Sequence, residues 1–286
     1  MIIVNTLAKL KTHFNQKIEE IYSSNEANSL FKIFVKEYLN IDAYKIISEP
    51  EMRITESEYL RFRKSINELL QHKPYQYILG HTYFLDLKIK IDNNVLIPRP
   101  ETEQLTQIII QQNNNKTINN IIDICTGSGC IAIALKKNIP HATVDAIDIS
   151  IDALKIAEQN AKLNNTQINI INDDILSLKT NLKKTFDIFV SNPPYVTMSE
   201  KKNMNKNVIL HEPHIALFVQ DDDPLVFYNK IIQFFKKYAN PNAVLYFEIN
   251  EVKASQLTSL SQKYNLDIEI LKDISNKDRF AIIREL

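Results

Sequence analysis

The residues of this chain with the most definite chemistry are Asn192-Pro193-Pro194-Tyr195. Two consecutive prolines fix φ and remove two N–H donors, so the local backbone offers only carbonyl oxygens. The Asn192 side-chain oxygen and the Pro193 carbonyl make two acceptors, a match for both hydrogens of a planar –NH2 group. Tyr195 adds a ring that can cover the face of a flat amide or base, a task for the ring rather than its hydroxyl. A nitrogen of that kind is a poor nucleophile, because its lone pair is delocalised into the π system. Holding both N–H bonds on acceptors shifts electron density back to nitrogen and aims it at an electrophile, and positioning supplies much of the remaining catalysis. On its own the run is equally an ordinary rigid Pro-Pro loop.

Its neighbours narrow the choice. The chain contains only three glycines, where about 20 would be usual for its length. Abundant Ile, Asn and Lys point to a coding bias that replaces glycine wherever replacement is tolerated. Gly80, Gly127 and Gly129 should then mark places where only glycine works. Two of them lie in Asp123-Ile124-Cys125-Thr126-Gly127-Ser128-Gly129-Cys130, which leaves a strand and opens a helix, with glycines that let the backbone approach a ligand. Gly127 to Ala132 also satisfies the dinucleotide pattern G-x-G-x-x-A, with Asp148 about 20 residues on. Asp148 closes the next strand and can accept bonds from both hydroxyls of a ribose. NAD and S-adenosylmethionine share that ribose, so these two features leave the ligand open. Asn192–Tyr195 decides for S-adenosylmethionine, because it follows the fourth strand of the same unit. An NAD enzyme would need a His or a Tyr-x-x-x-Lys near the switch point, and neither is found. No Ser/His/Asp set, paired carboxylates or metal site stands out.

The elements that must position these residues fall into three stretches. Residues 1–75 read as a small helical domain. Thr55-Glu56-Ser57-Glu58 is a capping box, and Phe62, Ile66, Leu69 and Leu70 form one buried face of the helix it starts, which Pro74 ends. Ser23 to Glu26 caps an earlier helix carrying Leu30, Phe31, Ile33, Phe34 and Tyr38. Residues 76–97 read as a β-hairpin linker, with Tyr83–Ile91 partly alternating and Asp92-Asn93-Asn94 as a turn. The polar tract Gln111–Asn115 reads as a loop. Residues 98–286 alternate strands (121–125, 143–147, 168–171, 186–191, 243–249, 267–271, 279–284) with helices such as 152–163 and 224–238. This is the pattern of an α/β fold with a mainly parallel sheet covered on both faces, whose ligand lies beyond the carboxyl ends of the strands.

Taken together, Pro74-Tyr75-Gln76-Tyr77-Ile78-Leu79-Gly80, Val95-Leu96-Ile97-Pro98-Arg99-Pro100-Glu101-Thr102-Glu103, the glycine turn, Phe189–Tyr195 and Glu212-Pro213-His214-Ile215-Ala216-Leu217 resemble the HemK/PrmC family of release factor glutamine N5-methyltransferases. The likeness covers nearly the whole chain, and Leu96–Glu103 is its most specific part. It implies a Rossmann-like class I methyltransferase sheet with a small N-terminal helical domain. The substrate it implies is the glutamine of the Gly-Gly-Gln tip of class I peptide-chain release factors, with the helical domain helping to bind that partner. Carried over, the cofactor contacts are Cys125, Thr126, Gly127, Ser128, Gly129, Asp148, Asp174, Ile175 and Asn192. The substrate contacts are Asn192, Pro193, Pro194 and Tyr195, with Asn192, Pro193 and Tyr195 catalytic. Ile175 stands where the family is often aromatic, so adenine would be held by aliphatic packing. Asn250 replaces a usual glycine after Glu248-Ile249, a change that lies away from Asn192 in sequence and reads as drift. Arg99 is read either as a substrate contact or as a salt bridge, His214 as surface or structural, and Asp273 with Asp278-Arg279 as ties for the sheet edge.

Composition sets the outer limits. Lys+Arg and Asp+Glu both number 34, which argues against stable nucleic-acid binding and against an exocyclic amine of a nucleic acid as the substrate. The first 75 residues carry 11 basic and 10 acidic side chains, so no basic module lies there. No apolar run has the length of a membrane span, and Met1–Asn5 turns polar too soon for a signal peptide, so a cytoplasmic protein is expected. Cys125 and Cys130 fit two small core residues of a reducing compartment. Methylation of a ribosomal-protein glutamine remains the nearest alternative activity.

Overall fold

The computed structural model describes residues 5–114 and 116–286. The opening Met1–Val4 and Asn115 of the polar tract lie outside them. Two units result, one of Met1–Gly80 with Lys206–His211 and the other of His81–Asn205 with Glu212–Leu286.

The first unit is helical because its caps and its apolar spacing agree. Helices α1 (Leu7–Ile18), α2 (Ser24–Leu39), α3 (Lys45–Ser48), α4 (Glu56–Leu69) and α5 (Tyr75–Leu79) follow in order. Ser23 with Glu26, and Thr55 with Glu58, both form complete capping boxes. Phe14, Phe31, Phe34 and Phe62 are fully buried at the centre, their rings tilted or edge-on as aromatic quadrupoles prefer. Pro74 does not end α4. The helix stops at Leu69, and His72 takes a left-handed φ of 61°, which no helix accommodates. Pro74 instead opens α5, which Gly80 closes at φ 78°.

The second unit begins with an antiparallel hairpin, β1 (His81–Phe84) and β2 (Leu87–Lys90). Its turn is Leu85-Asp86, with φ of 47° and 63°, and Asp92-Asn93-Asn94 forms the expected turn after Ile91. Turns with two left-handed residues normally announce themselves by Asn-Gly, and Leu85 removes that signal. In that later turn Asp92 accepts from the Asn94 amide. A helix of this unit continues the hairpin's hydrogen bonding with side chains. Asn160 accepts from Lys90 N and donates to Lys90 O, while Asn164 donates to Lys88 O.

A seven-stranded sheet follows, built from β3 (Asn120–Ile124), β4 (Thr143–Asp148), β5 (Asn169–Asn172), β6 (Phe186–Ser191), β9 (Ala239–Glu248), β10 (Leu266–Lys272) and β11 (Asp278–Glu285). Short β7 (Val196–Thr197) and β8 (Phe218–Val219) pair separately. The order is β10-β11-β9-β6-β3-β4-β5, parallel except at the two pairs that involve β11. Helices α6 (Pro100–Asn113), α7 (Cys130–Asn138), α8 (Ile151–Leu163), α10 (Val226–Tyr238) and α11 (Ala254–Lys263) belong to this unit. α9 (Lys206–His211) belongs to the first, where His211 Nε2 meets Gln71 O at 2.8 Å. Gln111–Asn113 are the last turn of α6 rather than a loop. Buried Asn113 donates to Tyr246 Oη, so this polar stretch is recruited by the core. Phe186, Phe189, Phe235 and Phe247 fill the sheet's main apolar cluster. Asp273 and Arg279 do tie the β10–β11 edge, by an ion pair at 3.3 Å. Among the described residues no helix is long and apolar enough to cross a membrane, and no group of three or more His, Cys, Asp or Glu could hold a metal ion.

Candidate active site

Strand register places the site. Ile124 on β3 partners Ser191 on β6 and Ile147 on β4; Asp148 partners Asn172 on β5; Ser191 partners Phe247 on β9. The residues that leave the sheet next are therefore neighbours: Cys125, Asp148, Asp173-Asp174, Asn192 and Glu248. Chain order reverses between β3 and β6, the switch point at which open α/β sheets bind ligands. A cavity of about 280 Å³ lies there, lined by Cys125, Thr126, Gly127, Ser128, Asp148, Asp174, Ile175, Asn192 and Pro194 among others. Three of the sequence-derived residues, Gly129, Pro193 and Tyr195, do not line it.

The two glycines of the turn do different things. Gly127, at φ 54°, lines the cavity, and a Cβ there would meet no protein atom within 4 Å. Its N–H donates to Asp148 Oδ2 at 2.9 Å. Gly129, at φ 78°, faces α8, and a Cβ would stand 3.0 Å from the Ala157 Cβ. It serves helix packing and not ligand approach. Cys125 also holds a left-handed φ of 61°, a conformation that costs a non-glycine residue about 1 kcal/mol or more.

Asp148 and Asp174 line the cavity edge, and a third carboxylate lies beneath it. Asp148 accepts from the amides of Gly127 and Ser150, and burial still raises its carboxyl above the usual range. Asp174 caps the turn that carries Ile175, accepting from Leu176 N at 2.9 Å. Beneath the glycine turn, fully buried Asp123 accepts from Thr126 Oγ1 and Ala132 N on one oxygen. Its Oδ1 meets no partner among the described residues, and burial pushes the carboxyl up to about 7. The cavity also carries an apolar wall of Ile147, Ile149, Ile175, Leu176 and Phe227.

Asn192 is held from behind. Its Nδ2 donates to Thr102 Oγ1 at 3.2 Å, and Thr102 Oγ1 donates to Glu248 Oε2 at 2.6 Å. Tyr195 donates its hydroxyl to the other oxygen of Glu248 at 3.1 Å, so that hydroxyl is engaged and not idle. Burial drives the Tyr195 phenol far above its ordinary range. Asn250 is a neighbour of the motif in space despite its distance in sequence. Its Nδ2 reaches Tyr195 O at 3.5 Å and Glu200 Oε1 at 3.1 Å. A glycine there could make neither bond. Arg99 forms a salt bridge, Nη2 to Glu212 Oε1 at 2.6 Å, with the Glu212 side chain 1% exposed. The His214 ring packs edge-on against Phe218, while Ile215 and Ala216 line the cavity. Sequence reasoning missed Thr102, Glu248 and Asp123 as parts of the site. The available signal was a lone Glu closing the apolar run 243–247 and a lone Asp inside Ile121–Ile124.

Comparison with known proteins places the chain. Residues 92–219 match the model of the Methyltransferase small domain, and residues 10–80 that of the PrmC N-terminal domain. A release factor glutamine methyltransferase of Flavobacterium psychrophilum is 42% identical over 94% of this chain and 95% of its own length. One of Bacteroides thetaiotaomicron is 36% identical over 95% of this chain and 97% of its own. Among solved structures, a methyltransferase from Pyrococcus furiosus superposes with a TM-score of 0.52, covering 77% of this chain and 97% of that one at 16% identity. That last likeness speaks for the fold alone.

Proposed function

This chain belongs to the release factor glutamine methyltransferase family, and we propose that it methylates the N5 amide nitrogen of the glutamine in the Gly-Gly-Gln motif of class I peptide-chain release factors. The methyl donor is S-adenosylmethionine, whose positively charged sulfur makes its methyl group electrophilic. The observation that carries the reading is the Asn192 amide at the cavity beside the glycine turn, its nitrogen occupied by Thr102 and its oxygen left to accept.

The cavity residues suit that cofactor. Asp148 has spent one lone pair of each oxygen on backbone amides and keeps others for ribose hydroxyls. The open space at Gly127 leaves room where a side chain would intrude. Ile149, Ile175 and Leu176 offer aliphatic surface to a flat base. On the substrate side, Asn192 Oδ1 and the Pro193 carbonyl accept the two N–H bonds of the glutamine amide. These bonds strengthen as the nitrogen gains positive charge, so they favour the transition state over the ground state. Pro193 acts through its main-chain oxygen, and Tyr195, whose ring packs on the apolar core outside the cavity lining, supports the motif through its hydroxyl bond to Glu248. We assign capture of the protein partner to the helical unit. The balanced charge of the chain favours a protein substrate over a nucleic acid.

The test is single-turnover methyl transfer at saturating cofactor and release factor. Asn192→Ala should lower the rate by about 10²-fold or more, by analogy with the loss of a positioned oxyanion-hole group, and leave cofactor affinity in place. Asn192→Asp keeps an acceptor and should fall between. A wild-type rate for the alanine variant would refute the amide clamp. Labelling of ribosomal proteins or DNA in preference to release factors would refute the substrate.

A further inference from the structure

Glu248 sits at the centre of a hydrogen-bond chain that reaches both ends of Asn192–Tyr195. The residue is 1% exposed, Oε2 accepts from Thr102 at 2.6 Å, and Oε1 accepts from Tyr195 at 3.1 Å. Those two donors favour its ionised form against the burial that raises its carboxyl above the ordinary range. A carboxylate only accepts, so the single hydroxyl proton of Thr102 is committed to it. Thr102 Oγ1 can then only accept from its other neighbour, the Asn192 amide at 3.2 Å. The two faces of an amide have the same shape, and sterics alone allow either orientation. The chain of donors does not. Turned over, Asn192 would set its oxygen against the Thr102 lone pairs and its N–H2 toward the cavity, where it would repel an arriving N–H.

We propose that Glu248, acting through Thr102, is the positioning residue that sets the polarity of the Asn192 amide and so restricts the site to nitrogens that arrive as hydrogen-bond donors. The proposal rests on the reading that Asn192 Oδ1 accepts from the substrate nitrogen. It also accounts for a glutamate at 248 rather than a glutamine. An amide offers one oxygen, so either Thr102 or Tyr195 would lose its acceptor, and in the first case the chain toward Asn192 can reverse.

Single-turnover transfer to a purified release factor, with labelled S-adenosylmethionine and the full chain, tests this. Thr102→Val should lower the rate about 10-fold or more, because the Asn192 nitrogen is left buried and unpaired when substrate closes the cavity. Thr102→Ser, which keeps the hydroxyl, should recover most of that loss. Glu248→Gln should act in the same direction as Thr102→Val, and cofactor affinity measured by calorimetry should hold in all three. Adding Thr102→Val to Asn192→Ala should bring no further loss, since the oriented group is gone. A wild-type rate for Thr102→Val, a serine variant as slow as valine, or independent losses in the double variant would overturn the positioning role. A wild-type rate for Asn192→Ala would instead show that the acceptor reading itself had failed. If Glu248→Gln does not fold, the Thr102 pair decides alone.

Discussion

Gly129→Ala separates the packing role of the glycine turn from its proposed ligand role. The alanine must adopt φ near 78°, and its Cβ must sit 3.0 Å from the Ala157 Cβ and 3.2 Å from the Ala157 Cα. The left-handed conformation costs about 1–2 kcal/mol. Carbon atoms prefer about 3.5–4.0 Å, and the nearest neighbours include helix backbone, which cannot rotate away. Overpacking of this kind adds about 1–3 kcal/mol. Together these lower stability by about 2–5 kcal/mol, a fall in melting temperature on the order of 10 °C for a unit of this size. Gly127→Ala carries the conformational cost alone, because its Cβ meets no protein atom within 4 Å. That Cβ stands at the cavity, so the larger effect should be on cofactor affinity. Scanning calorimetry of both variants, with cofactor titrations at a temperature where each is folded, reads the contrast. If Gly129→Ala melted within about 2 °C of wild type, or if it lost cofactor more severely than Gly127→Ala, the division of labour would be wrong.

Two further outcomes follow from buried carboxylates. The Asp123 carboxyl titrates at about 7 when folded against an ordinary 3.8, so between those values the folded state holds a proton the unfolded chain has released. Stability should fall as pH rises from about 4 to about 7, by up to about 1.4 kcal/mol per pH unit, and Asp123→Asn should remove that one-carboxyl slope in urea melts across the range. Arg99→Ala takes the cation from the Glu212 carboxylate, 1% exposed, and leaves it beside the Ile97 amide at 3.4 Å. It should cost roughly 2–4 kcal/mol, discounted for the partial exposure of Arg99, and Glu212→Gln in the same chain should recover much of the loss, as chemical denaturation would show.

What could be read from sequence was local, and what could not was long-range. Strand β6 was placed to the residue because Phe186–Val190 is largely apolar and Asn192-Pro193-Pro194 stops it. Both capping boxes were visible because their partners are three residues apart. The support of Asn192 was invisible, because Thr102 and Glu248 lie 146 positions apart and meet only when α6 packs on β9. Asn250 was misjudged for the same reason. It is 55 residues from Tyr195 in sequence and in contact with it in space. The hairpin's own turn at Leu85-Asp86 went unread for a different reason. Its local signal was absent, since Leu85 sits in a conformation that β-hairpins normally give to Asn or Gly.

The scarcity of glycine itself needs a finer account than replacement wherever tolerated. Nine non-glycine residues among those described have positive φ, and five are asparagines: Asn40, Asn165, Asn242, Asn265 and Asn276. Asparagine is the least costly of the larger residues in the left-handed region, because its short side chain can bond locally. An Asn-rich composition therefore supplies left-handed turns without glycine. Positive φ alone does not oblige a glycine in this chain. What Gly129 has in addition is a neighbouring helix at 3.0 Å, and what Gly127 has is a cavity that any side chain would enter. Gly80 has neither, with open space around it and φ 78°, so its retention has no steric account in the structure. Where a glycine is required is recognisable by what surrounds the missing Cβ. That is a property of the fold, and rarity in the sequence could only point toward it.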